Sequence, residues 1–352
     1  MRRRRLLAAL VAAAAASFAG APAAAPPEYG APAAPALRLH LFRHGVLAPA
    51  AAHRIRTASW WGGRIAASTG EPVTVYVSAH YPEDRAVAQA WADFFAGLIH
   101  GPELASLTSY VAPLEEVGVL CGAPALGCYG ADRLVTVGED VDAIRATSVA
   151  AHEYGHHVAA HRANPPWRAL DWGTKRWATA MGICTRAERG TVFPGDEGDF
   201  YRLNPGEAFA ESFRLLNERR SDPSLTTWPI VDPSLFPSVA ALKAVEDDVV
   251  RPWTAPTSTL RRARFGAGRP RAWTHRVATP LDGELQVTLE LPPATPYRLS
   301  LRDGAGRVVA RGLWSSATRQ SASFTVCGHR RVTVRVERNG PPARFVLRIR
   351  RP

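Results

Sequence analysis

The chain has 352 residues, 46% hydrophobic and 21% charged, proportions that exclude a disordered or fibrous repeat protein. One hydrophobic core rarely serves a chain of this length, so two domains are expected. The formal charge of +12 is unevenly spread: Arg2 to Arg5 carry +4, residues from Arg271 onward carry +10 (15 arginines against five acids), and residues 26–270 net −2. The basicity therefore belongs to the C-terminal part, and no nucleic-acid partner is expected.

In chain order, Arg2 to Arg5 read as a basic n-region and Leu6 to Ala16 as an apolar h-region, followed by the small residues Ser17, Ala19 and Ala21. Residues 1–25 are thus expected to be an export signal, the alternative being a retained anchor. Residues 26–36, with Pro26, Pro27, Pro32 and Pro35 among alanines, read as an extended tether. No later stretch reaches about 18 apolar residues, so no integral membrane segment is expected once the signal is removed. Export predicts a secreted, extracellular protein and makes its four cysteines candidates for disulfides. Cys121 and Cys128 enclose Gly122, Pro124 and Gly127, as a local staple would. Cys184 and Cys327 are then left to pair or to stay free. No CxxC is present, which disfavours a cysteine zinc site.

Residues 37–253 read as a mixed α+β domain. Val73 to Val77, Leu107 to Val111 and Arg133 to Val137 are expected strands. Pro82 to Ile99 has helical spacing, with Ala86, Ala90, Phe94 and Leu98 on one stripe and Val87, Trp91 and Phe95 beside it. Asp142 is positioned to cap a long helix ending near His161, before Asn164-Pro165-Pro166. A second helix is expected after Pro166, carrying Trp167 and Trp177, a third from Asn204-Pro205 to about Asn217, and a fourth from Leu235 to Val249. Residues 254–272, rich in Pro, Thr, Ser, Gly and Arg, read as a linker. Short alternating runs follow within residues 273–352: Glu284 to Leu291, Tyr297 to Leu301, Arg307 to Ala310, Ser323 to Val326, Arg331 to Glu337 and Arg344 to Ile349. They predict a small all-β sandwich domain. Its arginines could hold cell-wall polyanions, although alternating Arg on strands is more simply a solvated face.

One motif carries chemistry. His152-Glu153-Tyr154-Gly155-His156 is an HExxH on an expected helix, where residues four apart share a face and both imidazoles reach one metal. Glu153, about 100° round the helix, is placed to take a proton from a metal-held water and later return it to a leaving amine. Val149-Ala-Ala and Val158-Ala-Ala on either side make this a buried helix, where polar groups need partners. The expected cofactor is Zn2+.

A third ligand requires a separate source. Ala159 and Arg162 occupy positions where a glycine and a third histidine would stand, which excludes that ligand set. Asn204-Pro-Gly-Glu-Ala-Phe-Ala-Glu-Ser-Phe213 offers Glu207 as ligand, with Glu211 one turn on to hold the outer N–H of His152. The competing role for Glu207 is the N3 member of a capping box behind Asn204. Glu188, Asp196, Glu197 and Asp199, in a Gly-rich stretch, are weaker candidates.

HEYGH followed by NPGEAFAESF resembles the gluzincins, zinc metallopeptidases with a His-His-Glu site, and especially the lethal-factor type and related secreted bacterial proteins. The resemblance covers some 60 residues. It implies a zincin-like domain acting on a peptide or protein substrate, with His152, His156 and Glu207 as zinc ligands and Glu153 as catalytic base and acid. In that type a tyrosine seven positions before the ligand glutamate stabilises the oxyanion. Phe200 stands at that position here, and the tyrosine, Tyr201, comes one residue later. The residues around Cys121 to Val137 are similar to the segment preceding HExxH in exported relatives, and the C-terminal run resembles bacterial pre-peptidase C-terminal domains. The rival functions are a non-catalytic zinc-containing wall- or matrix-binding protein and a zinc amidohydrolase acting on cell-wall peptides. His157 and His161 lie off the ligand face or too far along the helix, and His161 reads as a partner of the helix dipole. Trp167, Trp172 and Trp177 could line a substrate cleft, although core packing between helices is the simpler reading.

Overall fold

The computed structural model describes residues 45–46, 59–268 and 271–352. The expected export signal, the tether and the first residues of the domain expected from residue 37 lie outside the described residues.

The fold is α+β. Its first part is built on a six-stranded sheet, with strands β1 (Gly45–Val46), β2 (Trp60–Ala66), β3 (Pro72–Ser78), β4 (Thr108–Ala112), β5 (Gly127–Gly130) and β6 (Arg133–Val137) in the order β1-β5-β6-β4-β3-β2. The β1–β5, β3–β4 and β4–β6 pairs are parallel; β2–β3 and β5–β6 are antiparallel. Val73, Val75 and Val77 are fully buried while Thr74 and Tyr76 alternate with them, the period-2 pattern of a strand with one face in the core.

Helix α1 (Arg85–Gly97) starts where Asp84 accepts from the Ala86 N–H. It buries Ala88, Trp91, Ala92 and Phe95, a stripe rotated from the expected one: Ala86, Ala90 and Val87 are exposed. Helix α2 (Leu114–Cys121) ends at the Cys121–Cys128 disulfide, which ties it to β5. Helix α3 (Ala146–Ala160) carries the HExxH motif. Asp142 does not cap it. That residue sits in the left-handed region (φ 52°), and Arg145 is the N-cap without a side-chain bond; the Ala146 N–H bonds Asp140 instead.

The helix expected after Pro166 is broken into pieces. A two-stranded ribbon, β7 (Ala163–Asn164) and β8 (Trp167–Arg168), is followed by α4 (Ala169–Trp172), α5 (Lys175–Ala180) and α6 (Ile183–Glu188). Gly173 makes the break. It has φ 75°, and an added Cβ would stand 2.2 Å from the Trp177 ring. Trp167 and Trp172 stack on one another, Trp172 packing partly buried against the core, whereas Trp177 is fully buried and donates to Ser212. Helices α7 (Pro205–Ser221) and α8 (Val239–Val250) complete the layer; Asn204 caps α7 by accepting from the Gly206 N–H at 2.9 Å.

The second part is a sandwich of two antiparallel sheets. Its strands are β9 (Thr257–Arg264), β10 (Ala272–Ala278), β11 (Gly283–Glu290), β12 (Tyr297–Arg302), β13 (Val308–Arg311), β14 (Leu313–Ser316), β15 (Arg319–Val326), β16 (Arg331–Arg338) and β17 (Arg344–Arg351). The sheet orders are β10-β16-β12-β13 and β14-β15-β11-β17-β9. A separate apolar core joins them, including Leu285, Val287, Leu299, Val334, Leu347 and Ile349. Strand β9 lies inside the segment read as a linker: its arginine-rich, mostly exposed sequence forms an edge of the sheet, paired with β17. Cys184–Cys327 is a disulfide that joins α6 to the sandwich. Beside it, the Asp282 N–H bonds the Thr179 hydroxyl, and the buried Lys175 ammonium donates to the Pro165 carbonyl at 2.8 Å.

Candidate metal centre

The centre forms where α3 and α7 pack backbone to backbone. At Gly155 an added Cβ would stand 2.7 Å from the Ala210 Cα, so the glycine of HEYGH and the alanine of EAFAE set the helix separation. The next turn of each helix then brings side chains face to face. His152 and His156 project from α3, Glu207 and Glu211 from α7, and all four are buried.

Glu207 bridges the two imidazoles. Its Oε2 lies 3.2 Å from His152 Nε2, and its Oε1 lies 3.3 Å from His156 Nε2. Around a tetrahedral ion with bonds of about 2.0–2.1 Å, ligand atoms stand about 3.3 Å apart. One nitrogen or oxygen from each of the three residues falls within 4.8 Å of the others, so the three could hold a metal ion.

Glu211 holds the other side of His152, with Oε2 3.0 Å from Nδ1. A carboxylate there fixes Nδ1 as the donor and leaves Nε2 aimed at Glu207. Glu211 is itself held by a two-point contact with Arg214, from Nε at 2.9 Å and Nη2 at 2.8 Å, and Arg214 also donates to the Thr227 carbonyl at 2.7 Å. Sequence reading missed Arg214. Its signal was the acid–arginine spacing of three on one helix, which reads equally as a surface pair.

The electrostatics match a site built for positive charge. Burial opposes an imidazolium at His152, but the hydrogen bonds to Glu207 and Glu211 outweigh it and push the ring up to about 10. His156 is raised by Glu207, again against burial. Burial would raise Glu211, yet Arg214 and His152 bring it down to about 2. Glu207 is lowered well below the usual carboxylate range by both histidines, again against burial. The two carboxylates thus stay charged, and positive charge is favoured between them.

Glu153 is fully buried one position round α3, beneath β5. Gly127 of β5 makes room for it, since an added Cβ would meet Glu153 Cγ at 2.9 Å. Tyr201 reaches the same cluster despite its shift by one residue, donating from its hydroxyl to Glu207 Oε2 at 2.7 Å. Of the four acids set aside, Glu197 lies closest to the centre. Its Oε1 accepts from the Asn204 amide at 3.2 Å; loss of water around the carboxyl and the charge of Glu207 push it up to about 7, even though the residue as a whole is exposed.

Comparison with known proteins adds little. No family model matches the chain, and no curated protein matches it. Among solved structures it is similar to the crystal structure of the pre-peptidase C-terminal domain of a collagenase from Bacillus anthracis, at 13% identity and a TM-score of 0.22, over 26% of this chain and 86% of that one. At that score the likeness carries no argument. Among the described residues, no helix is long and apolar enough to cross a membrane.

Proposed function

We propose that the chain is an exported, zincin-like zinc metallopeptidase that hydrolyses peptide bonds. The observation that carries the reading is the convergence of His152, His156 and Glu207 at ligand spacing, with Glu153 buried in the adjoining position. Zinc held by those three residues supplies a Lewis acid that makes water a nucleophile near neutral pH and polarises a carbonyl.

The chain's own residues do the rest. Glu153 accepts the proton of the attacking water and passes it to the departing amine. Glu211 keeps His152 in one tautomer, and Arg214 keeps Glu211 charged. The Tyr201 hydroxyl, which donates to Glu207, is a neutral donor at the edge of the ligand set and would serve the developing oxyanion. Export is supported by the N-terminal sequence and by two disulfides.

One observation favours a wall partner as well. Arg264 lies opposite Arg344 in the β9–β17 register, and Arg262, Arg348 and Arg350 are exposed with them. Directly opposed like charges weaken a sheet and are offset by a bound polyanion. Such a surface would bring the catalytic part to cell-wall peptides, or would itself be the working part of a zinc-containing binding protein. The test is zinc content and cleavage of an unbiased peptide library by the full chain and by Glu153→Gln. The proposal expects equal zinc in both and cleavage in the parent only; a parent that holds zinc and cleaves nothing favours the binding protein.

A further inference from the structure

The HExxH helix carries a second pair of histidines four apart, His157 and His161, which face the β5–β6 turn rather than α7. His157 is fully buried, and its Nε2 lies 2.9 Å from the Glu103 main-chain carbonyl. A carbonyl only accepts, so Nε2 carries the hydrogen and Nδ1 of the neutral ring keeps its lone pair. Nδ1 faces Asp132 Oδ1 at 3.6 Å and the Tyr129 hydroxyl at 3.2 Å. His161 Nε2 lies 2.8 Å from the same Asp132 oxygen and 3.4 Å from the Ser106 hydroxyl.

Two nitrogens and one carboxylate oxygen therefore stand within 4.8 Å of one another. A main-chain carbonyl holds the outer N–H of the buried histidine, as ligand histidines are commonly held. The β5–β6 turn completes the set. Ala131 and Asp132 both take left-handed conformations (φ 50° and 63°) in the two-residue turn between the paired Gly130 and Arg133, where glycine or asparagine is preferred. That turn carries the carboxylate back over α3. The His161 and Asp132 side chains are 32% and 46% exposed, which leaves coordination positions open to water.

We propose that Asp132, His157 and His161 form a second zinc site, clamping the C-terminal turn of α3 to the β5–β6 turn. The donor set is borderline, and imidazole suits zinc better than calcium or magnesium. The competing arrangement is a hydrogen-bond chain alone, with Tyr129 serving His157 and His161 serving Asp132.

The test titrates zinc alone into the metal-stripped full chain and counts bound equivalents by equilibrium dialysis. Wild type should bind two; His161→Ala and Asp132→Asn should each bind one; His156→Ala should bind one, at the outer site. Zinc should raise the melting temperature of His156→Ala but not of His156→Ala/His161→Ala. The proposal is overturned if His161→Ala and Asp132→Asn both bind as many equivalents as wild type, or if His156→Ala binds none while remaining folded. The two sites fail separately: loss of an equivalent in Asp132→Asn but not in His156→Ala would remove the inner site and keep the outer one.

Discussion

Two histidine pairs share one helix, offset by five residues, and differ in what packs against them. His152 and His156 meet a second helix, and that helix supplies Glu207, Glu211 and the arginine that keeps Glu211 charged. His157 and His161 meet a hairpin turn, which supplies the Asp132 carboxylate, and the main-chain carbonyl of Glu103, which comes from the segment before β4. Identical spacing thus gives a sealed cluster on one face and a half-open one on the other. The spacing brings imidazoles together; the neighbouring element decides which carboxylates join them and how far the cluster is buried.

The comparison breaks most completely at Gly155. Gly155→Val places side-chain atoms against the Ala210 backbone and pushes α7 away from α3. We expect a destabilisation of at least ~2 kcal/mol, read by denaturant unfolding, together with loss of the inner zinc. Next comes the proposed base. Glu153→Gln should lower peptide cleavage by about 10²–10⁴-fold with zinc content unchanged, measured on the same protein batch. No corresponding change on the outer face should affect cleavage, since no carboxylate there stands in the position of Glu153.

Smaller effects sharpen the account. Glu211→Gln should weaken inner-site zinc affinity by about 10–100-fold in chelator competition, and Arg214→Met should move it in the same direction, because both loosen His152. The smallest effect belongs to the outer pair. His161→Ala removes a partly exposed contact with Asp132 and should cost no more than about 1 kcal/mol in unfolding experiments on zinc-free protein. A larger loss would mean that the outer cluster holds the fold together without any ion.

The sequence made the inner centre legible because its information is local. HExxH places two imidazoles by helical period, and Glu207 and Glu211 repeat the same period on one later helix. The pairing of those two helices needed Gly155 and Ala210, which read as filler until the close approach is seen. What stayed hidden is non-local. Asp132 lies 29 residues before His161, and only the β5–β6 turn brings it back, so the outer histidines read as bystanders. Strand β9 was hidden for another reason: at a sheet edge nearly every side chain is exposed, so the period-2 hydrophobic signal is absent and Arg-rich sequence resembles a linker. The helix expected through Trp167 and Trp177 failed at Gly173, one residue whose left-handed backbone outweighs the surrounding periodicity.

The most direct test of the central claim is anomalous scattering at the zinc absorption edge, recorded from crystals of the full chain loaded with zinc. The account predicts a strong peak bounded by His152 Nε2, His156 Nε2 and the Glu207 carboxylate, at about 2.0–2.2 Å from each ligand atom. An edge-specific map with no peak among those three residues would contradict it.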